Sequence, residues 1–377
     1  MALTVGVPTE VKNNESRVAL TPDGVRELSQ HGVEVLVQAE AGRESAIPDS
    51  AYVAAGAAVV ATAAEVWERA DLICKVKEPQ PDELGLLRDG LVLFTYLHLA
   101  AYPEVATELI DRRVTGVAYE TVQLDSGALP LLAPMSEVAG RMATQIGAHY
   151  LERSSGGRGV LLGGAPGVHP GRVVVLGAGN VGWNAAWIAA GMEAEVFLLD
   201  RDLDRLRFTD QIHRGRIMTL ASNRGAVERA VAEADLVIGA VLVAGGRAPV
   251  VVDASMVAGM REGAVIVDVA VDQGGCIETT HETTHDDPVY EVDGVLHYAV
   301  GNIPGAVPNT STFALTNATL PYLADLAVHG LSSAVEHDPA LALGVNTHAG
   351  AVTHATVAEA LSRKHLDLVE ALSSSET

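Results

Sequence analysis

The stretch RVVVLGAGNVGWNAAWIAAG, residues 172–191, constrains this chain more than any other. A short apolar, β-branched run leads straight into Gly177, Gly179 and Gly182, spaced G-x-G-x-x-G, and an apolar helical pattern follows. Each glycine has its own reason to be there. The first permits a tight turn, the second lets backbone approach a pyrophosphate, and the third allows close helix–strand packing. The phosphates then rest on the positive end of the helix. The next strand pattern, AEVFLLD, ends on Asp200. A carboxylate there accepts hydrogen bonds from the adenosine ribose hydroxyls and favours NAD over NADP, although the neighbouring Arg201 could partly offset a 2′-phosphate.

Strand patterns recur at IMTL, ADLVIGAVL, GAVIVDVAV and VLHYAVG. With the first two they make six, the number that a complete dinucleotide-binding fold uses. The first third of the chain has the same grammar: LTVGV, VEVLVQ, ADLICKVK, LVLFTYL and VTGVAYE read as strands separated by helical patterns. TPDGVRELSQHG opens on Thr21 and Pro22 and stops at Gly32, and PEVATELIDRR reads the same way. The expected fold class is therefore α/β, with two doubly wound Rossmann-like domains, the second a six-stranded parallel dinucleotide-binding sheet. Two long helices join them, one opened by Ser136 as N-cap and one over Thr310–His329. The expected division is a substrate and catalytic domain from 1–134 plus 306–377, and an NAD-binding domain from 135–305.

The net charge of −23, from 48 acidic against 25 basic residues, excludes nucleic acid and anionic membranes as natural partners. It also means that an anionic substrate needs cations gathered inside its pocket. The two cysteines, Cys74 and Cys276, lie far apart and form no metal-ligand pattern, so both read as reduced and structural, and no metal site is assigned. The start of the chain lacks a basic stretch followed by an apolar core, and no uncharged apolar run is long enough to span a bilayer. A cytoplasmic location is expected.

The segment PTEVKNNESRVALTP packs Glu10, Lys12, Glu15 and Arg17 ahead of the first helix, either as a solvated charged loop or as part of a pocket. In CKVKEP, Lys75 and Lys77 end an apolar strand, and alternation puts both on one face. Carboxyl ends of strands line the binding crevice of open α/β sheets, and Lys77 and His98 both lie at such ends. Arg17 and Lys77 could hold a small carboxylate. His98, in LVLFTYLHLA, is either a core imidazole with satisfied nitrogens or an acid/base group. In DVAVDQGG, Asp268 reads as structural, while Asp272 stands at a loop start before two glycines. An imidazole from one domain facing that carboxylate from the other would make an acid/base pair.

Taken in order, PTEVKNNESRVALTP, KVKEP, TYLHLA, APMSEVAG, GAGNVG, DVAVDQGG and PGAVPNTSTFALTNATLPY resemble the bacterial L-alanine dehydrogenases of the alanine dehydrogenase/pyridine nucleotide transhydrogenase family. The resemblance runs from about residue 1 to about residue 350. It implies reversible, NAD-dependent oxidative deamination of L-alanine to pyruvate and ammonium, with Arg17 and Lys77 on the substrate carboxylate and His98 and Asp272 moving protons. It also implies cofactor contacts from Ser136, Gly177, Gly179, Asn180, Val181, Gly182, Asp200, Arg205, Ser222, Ala240, Val241, Leu242, Val269, Asp272 and Asn302, and a homo-hexamer. Asp325 and His329 match the spacing of an ion-binding pair in the family, but a helical i,i+4 pair is an ordinary surface feature. Two alternatives stand beside this reading: the NAD-binding component related to proton-translocating transhydrogenase, and a non-catalytic NAD-responsive binding protein.

Overall fold

The structure, a computed structural model, describes residues 3–241, 248–271 and 274–375. The chain divides into two compact units, Met1–Met135 with Val307–Thr377, and Ser136–Ala306. The first unit begins with β1 (Val5–Val7), β2 (Val35–Gln38), β3 (Ala58–Val60), β4 (Leu72–Cys74), β5 (Val92–Thr95) and β6 (Thr115–Ala118). These pair in parallel in the order β6-β5-β4-β1-β2-β3. Every residue of β1, β4, β5 and β6 is buried. An inner strand of this kind reads as an unbroken apolar run, because helices cover both faces of a parallel sheet. The helix Pro22–Gln30 starts as its sequence dictates: the Thr21 hydroxyl accepts from Gly24 N at 3.4 Å, and Pro22 occupies the first turn. Such a cap contributes about 1 kcal/mol.

The second unit contains β7 (Arg172–Leu176), β8 (Glu195–Asp200), β9 (Ile217–Ala221), β10 (Leu236–Gly239), β11 (Val265–Asp268), β12 (Val289–Val292) and β13 (Val295–Tyr298). Their order is β12-β13-β11-β10-β7-β8-β9. All six strands other than β12 are parallel, and the winding reverses between β7 and β10. That is the doubly wound order with its switch point beside the first strand. The seventh strand, β12, pairs antiparallel to β13 through Asp293 and Gly294, both with positive φ. This Asp-Gly hairpin was absent from the sequence expectation, although the dipeptide is a strong turn signal.

The chain returns to the first unit as β14 (Val345–His348) and β15 (Ala351–Val352). β14 pairs antiparallel to β6 and β15 antiparallel to β14, which completes an eight-stranded sheet. The long helix that leaves the first unit spans Ala133–Tyr150. Ser136 therefore lies in its first turn rather than at its cap, and the start signal is Pro134, a residue suited to that turn. The returning helix spans Pro308–His337 and breaks at Gly330, whose φ of 74° and ψ of 169° leave the helical region. The Ser-rich end of the chain is helical over Leu368–Ser375.

Candidate active site

In the second unit the cofactor candidates collect at the carboxyl ends of the parallel strands. Gly177 follows β7, Asp200 ends β8, Ser222 follows β9, and Ala240 and Val241 follow β10. Val269 follows β11, and its N–H donates to the Gly239 carbonyl at 2.9 Å. Asn302 comes shortly after β13 with a left-handed φ of 59°. Gly179 caps the helix Asn180–Gly191, so Asn180, Val181 and Gly182 form its first turn.

Local geometry explains the three glycines. Gly177 has φ 100°, and a Cβ there would stand 2.6 Å from the Ala240 carbonyl oxygen. A Cβ on Gly182 would overlap the Gly177 carbonyl oxygen. Gly179 is different, since a Cβ there would meet nothing nearer than the Arg205 guanidinium at 3.7 Å. Two glycines are thus required by close packing, and the third keeps backbone accessible at a helix N-terminus. These residues fit a dinucleotide pyrophosphate.

Asp200 braces the turn. Its carboxylate accepts from Ala178 N at 2.5 Å and from Asp202 N at 2.8 Å, while its carbonyl accepts from Ser222 N at 2.8 Å. An ionised carboxylate has acceptor capacity beyond two donors, so ribose hydroxyls remain within its chemistry. The helix that carries Ser136 packs on the helix after the glycine turn. A Cβ on Gly140 would overlap the Val181 carbonyl oxygen, and Thr144 donates to the Ala185 carbonyl at 2.8 Å. Ser136 is one turn before Gly140 on the same face of that helix.

Asp268 is structural. Its buried carboxylate accepts from Ala270 N, Cys276 N, Ile277 N and the Thr280 hydroxyl at 3.1, 3.0, 3.3 and 2.7 Å, which ties down the loop after β11. Burial pushes its pKa up, against the pull of those donors. Leu242 and Asp272 lie outside the described residues.

In the first unit the charged segment before the first helix is an ordered, buried ion-pair network and not a solvated loop. Arg17 is 2% exposed, and its Nε and Nη2 donate to the two oxygens of Glu15 at 2.6 and 2.5 Å. Burial alone would raise the Glu15 pKa, but the charge and hydrogen bonds of Arg17 bring it down to about 2. The lysines of CKVKEP part company, because β4 stops at Cys74 and alternation does not continue to residue 77. Lys75 is fully buried between Glu10 at 3.2 Å and Glu83 at 2.8 Å. Lys77 is only partly buried; burial, and then the positive charges of Arg17 and Lys12, hold it below the ordinary lysine range. Glu10 also fixes the backbone here, accepting from Val76 N at 2.6 Å and Lys77 N at 3.4 Å. Two cations close enough to perturb one another favour an anion between them.

His98 is not a core residue. Its side chain is 36% exposed, and its backbone is left-handed at φ 46°, three residues past the end of β5. The ring stacks on Tyr96, with centroids 5.7 Å apart and planes within 2°. Tyr96 is buried, donates to the Leu131 carbonyl at 2.6 Å, and lies within electrostatic reach of Arg17. The first unit therefore brings Arg17, Lys77 and His98 into one neighbourhood through Tyr96 and Glu15, neither of which the sequence reading had picked as a site residue. The parity of Tyr96 and His98 within LVLFTYLHLA was the available signal for the first. Asp325 lies 3.8 Å from both His329 and His337 on the far part of the unit's long helix.

Comparison with known proteins matches residues 6–139 to the description "Alanine dehydrogenase/PNT, N-terminal domain" and residues 143–355 to "Alanine dehydrogenase/PNT, C-terminal domain". An alanine dehydrogenase of Mycobacterium tuberculosis strain H37Rv is 56% identical over 94% of this chain and 96% of its own length. The alanine dehydrogenase of Bacillus subtilis strain 168 is 52% identical over 98% of each. Among solved structures, an L-alanine dehydrogenase superposes with a TM-score of 0.93 at 52% identity, over 95% of this chain and 99% of the other. A transhydrogenase from Sinorhizobium meliloti gives a TM-score of 0.81 at 28% identity, over 93% and 99%.

Proposed function

The chain belongs to the alanine dehydrogenase/PNT family, and we propose that it interconverts L-alanine with pyruvate and ammonium using NAD as its nicotinamide dinucleotide. It is an amino-acid dehydrogenase. The observation that carries the substrate is identity above half, over nearly the whole chain, with alanine dehydrogenases, against 28% with a transhydrogenase. Initial rates with pyruvate, ammonium and NADH test it directly. No NADH consumption there, with turnover of glyoxylate or a branched keto acid instead, would overturn the substrate.

In this reading the unit Met1–Met135 with Val307–Thr377 handles substrate, and Ser136–Ala306 holds the cofactor. Arg17 and Lys77 take the carboxylate of pyruvate or alanine as paired cations. In amination, ammonia adds to the pyruvate carbonyl and water leaves to give an iminium. His98 gives and takes protons at the carbonyl oxygen and the nitrogen, with Asp272 as its acidic partner. The nicotinamide, when bound, supplies or accepts hydride at the α-carbon. The backbone of Gly177, Gly179 and Gly182 cradles its phosphates, and Asp200 takes the ribose hydroxyls and thereby favours NAD. Ser136, Asn180, Val181, Arg205, Ser222, Ala240, Val241, Leu242, Val269, Asp272 and Asn302 line the remainder.

Three measurements bear on this. Gly182→Ala forces a Cβ against the Gly177 carbonyl, so NADH affinity by fluorescence titration should weaken by about 10-fold or more and the melting temperature should fall. Normal affinity would remove the glycine turn from the cofactor site. Because Lys77 titrates below an ordinary lysine, the KM for pyruvate should climb as pH rises toward the ordinary lysine value of about 10.4, as the cation is lost early. A KM flat across that rise would take Lys77 off the carboxylate. Finally, we propose a cytoplasmic homo-hexamer, with subunit contacts from Ser136–Arg153 and Thr310–His329. Among the described residues no helix is long and apolar enough to cross a membrane. The exposed Trp187, Phe208 and Ile212 offer a further apolar surface for assembly. Sedimentation as a monomer at working concentration would refute it.

A further inference from the structure

A short 3-10 turn, Tyr119–Thr121, follows β6 and carries the carboxylate of Glu120. This side chain accepts from two consecutive backbone N–H groups. Leu97 N lies 3.3 and 3.2 Å from its two oxygens, and His98 N lies 2.6 Å from Oε1. The same Oε1 stands 3.8 Å from Nδ1 of His98, within ion-pair reach but too long for a hydrogen bond. Glu120 is 14% exposed, so its charge is screened less than that of a surface carboxylate. His98 needs such support. A left-handed φ of 46° is uncommon for a residue with a Cβ, and it persists only where the surroundings impose it. The ring is thus stacked on Tyr96, and its backbone is tied to Glu120, whose carboxylate also faces Nδ1.

We propose that Glu120 is the positioning residue for His98, fixing its left-handed backbone and facing Nδ1 so that Nε2 is the nitrogen that exchanges protons with the substrate. A carboxylate beside Nδ1 favours the N–H at that nitrogen and offsets the charge that the ring gains when Nε2 takes a proton. The proton accepted at Nε2 in deamination is the one returned in amination. The inference rests on the reading of His98 as the acid/base group.

Glu120→Gln tests it, since the amide oxygen can still accept from Leu97 and His98 while the charge is gone. Turnover in both directions should fall by about 10- to 100-fold, with the KM for pyruvate and the NADH affinity within about 2-fold of the parent. In a His98→Asn background the same change should cost nothing further, because the group it serves has been removed. Parent-level kcat in Glu120→Gln, or an undiminished extra loss in the double variant, would overturn the proposal and leave the role of His98 standing. Parent-level turnover in His98→Asn alone would instead overturn the acid/base reading, and the positioning role with it.

Discussion

His98→Ala is expected to lose turnover by about 100-fold or more, while NADH binding and the folded state persist. The structure sharpens this expectation by removing its simplest rival. A histidine buried in the core would leave a cavity on truncation and destabilise the chain by several kcal/mol. This ring is more than one-third exposed and stacks on Tyr96, so less packing is lost than in a core. The left-handed backbone still matters, because alanine tolerates it poorly. His98→Asn is the better-matched control, since asparagine enters that region more readily. Turnover should be read beside NADH fluorescence and a thermal melt for both variants. A variant that binds NADH normally and keeps most of its activity would remove His98 from the mechanism.

Arg17→Lys is expected to raise the KM for pyruvate by about 10-fold or more with little change in NADH affinity. The replacement keeps the charge and discards the planar fork. Lysine is also the informative choice because of Glu15. Arg17→Ala would strand a buried carboxylate that is now held by two side-chain hydrogen bonds, at a cost of about 3–5 kcal/mol. Such a variant would report on folding more than on substrate. If Arg17→Lys loses pyruvate and NADH in equal measure, Arg17 serves the fold through Glu15 and not the substrate.

What the sequence made legible was local. The glycine turn, the helix after it and Asp200 at the end of the next strand lie within 30 residues, and each is fixed by backbone sterics that hold in any fold. Thr21 and Pro22 announced their helix for the same reason. The misreadings came where the deciding partner was remote. Lys75 and Lys77 look alike in CKVKEP, but only Lys75 meets Glu10 and Glu83 in the interior. The segment of Glu15 and Arg17 reads equally as solvated loop or pocket wall from sequence, and its burial in the folded chain decides between them. Glu120 lies 22 residues from His98 and looks like any acid after a strand. Ser136 reads as a cap because capping residues are a strong signal, but the helix starts earlier, at Ala133 and Pro134. Among the antiparallel edge strands, Ala351–Val352 offers too few residues for a period to show.

The first unit is assembled from both parts of the chain that flank the second, and this sets an order on its folding. Thr347 on β14 donates to the Val114 carbonyl beside β6, a sequence separation of 233. A ribosome adding roughly 5–20 residues per second takes tens of seconds to deliver that partner. The second unit is continuous and is finished first, while β6 waits with an uncovered edge. Bare strand edges recruit other chains. The hazard in making this protein therefore falls in that interval, and ends when the last strands close over β6.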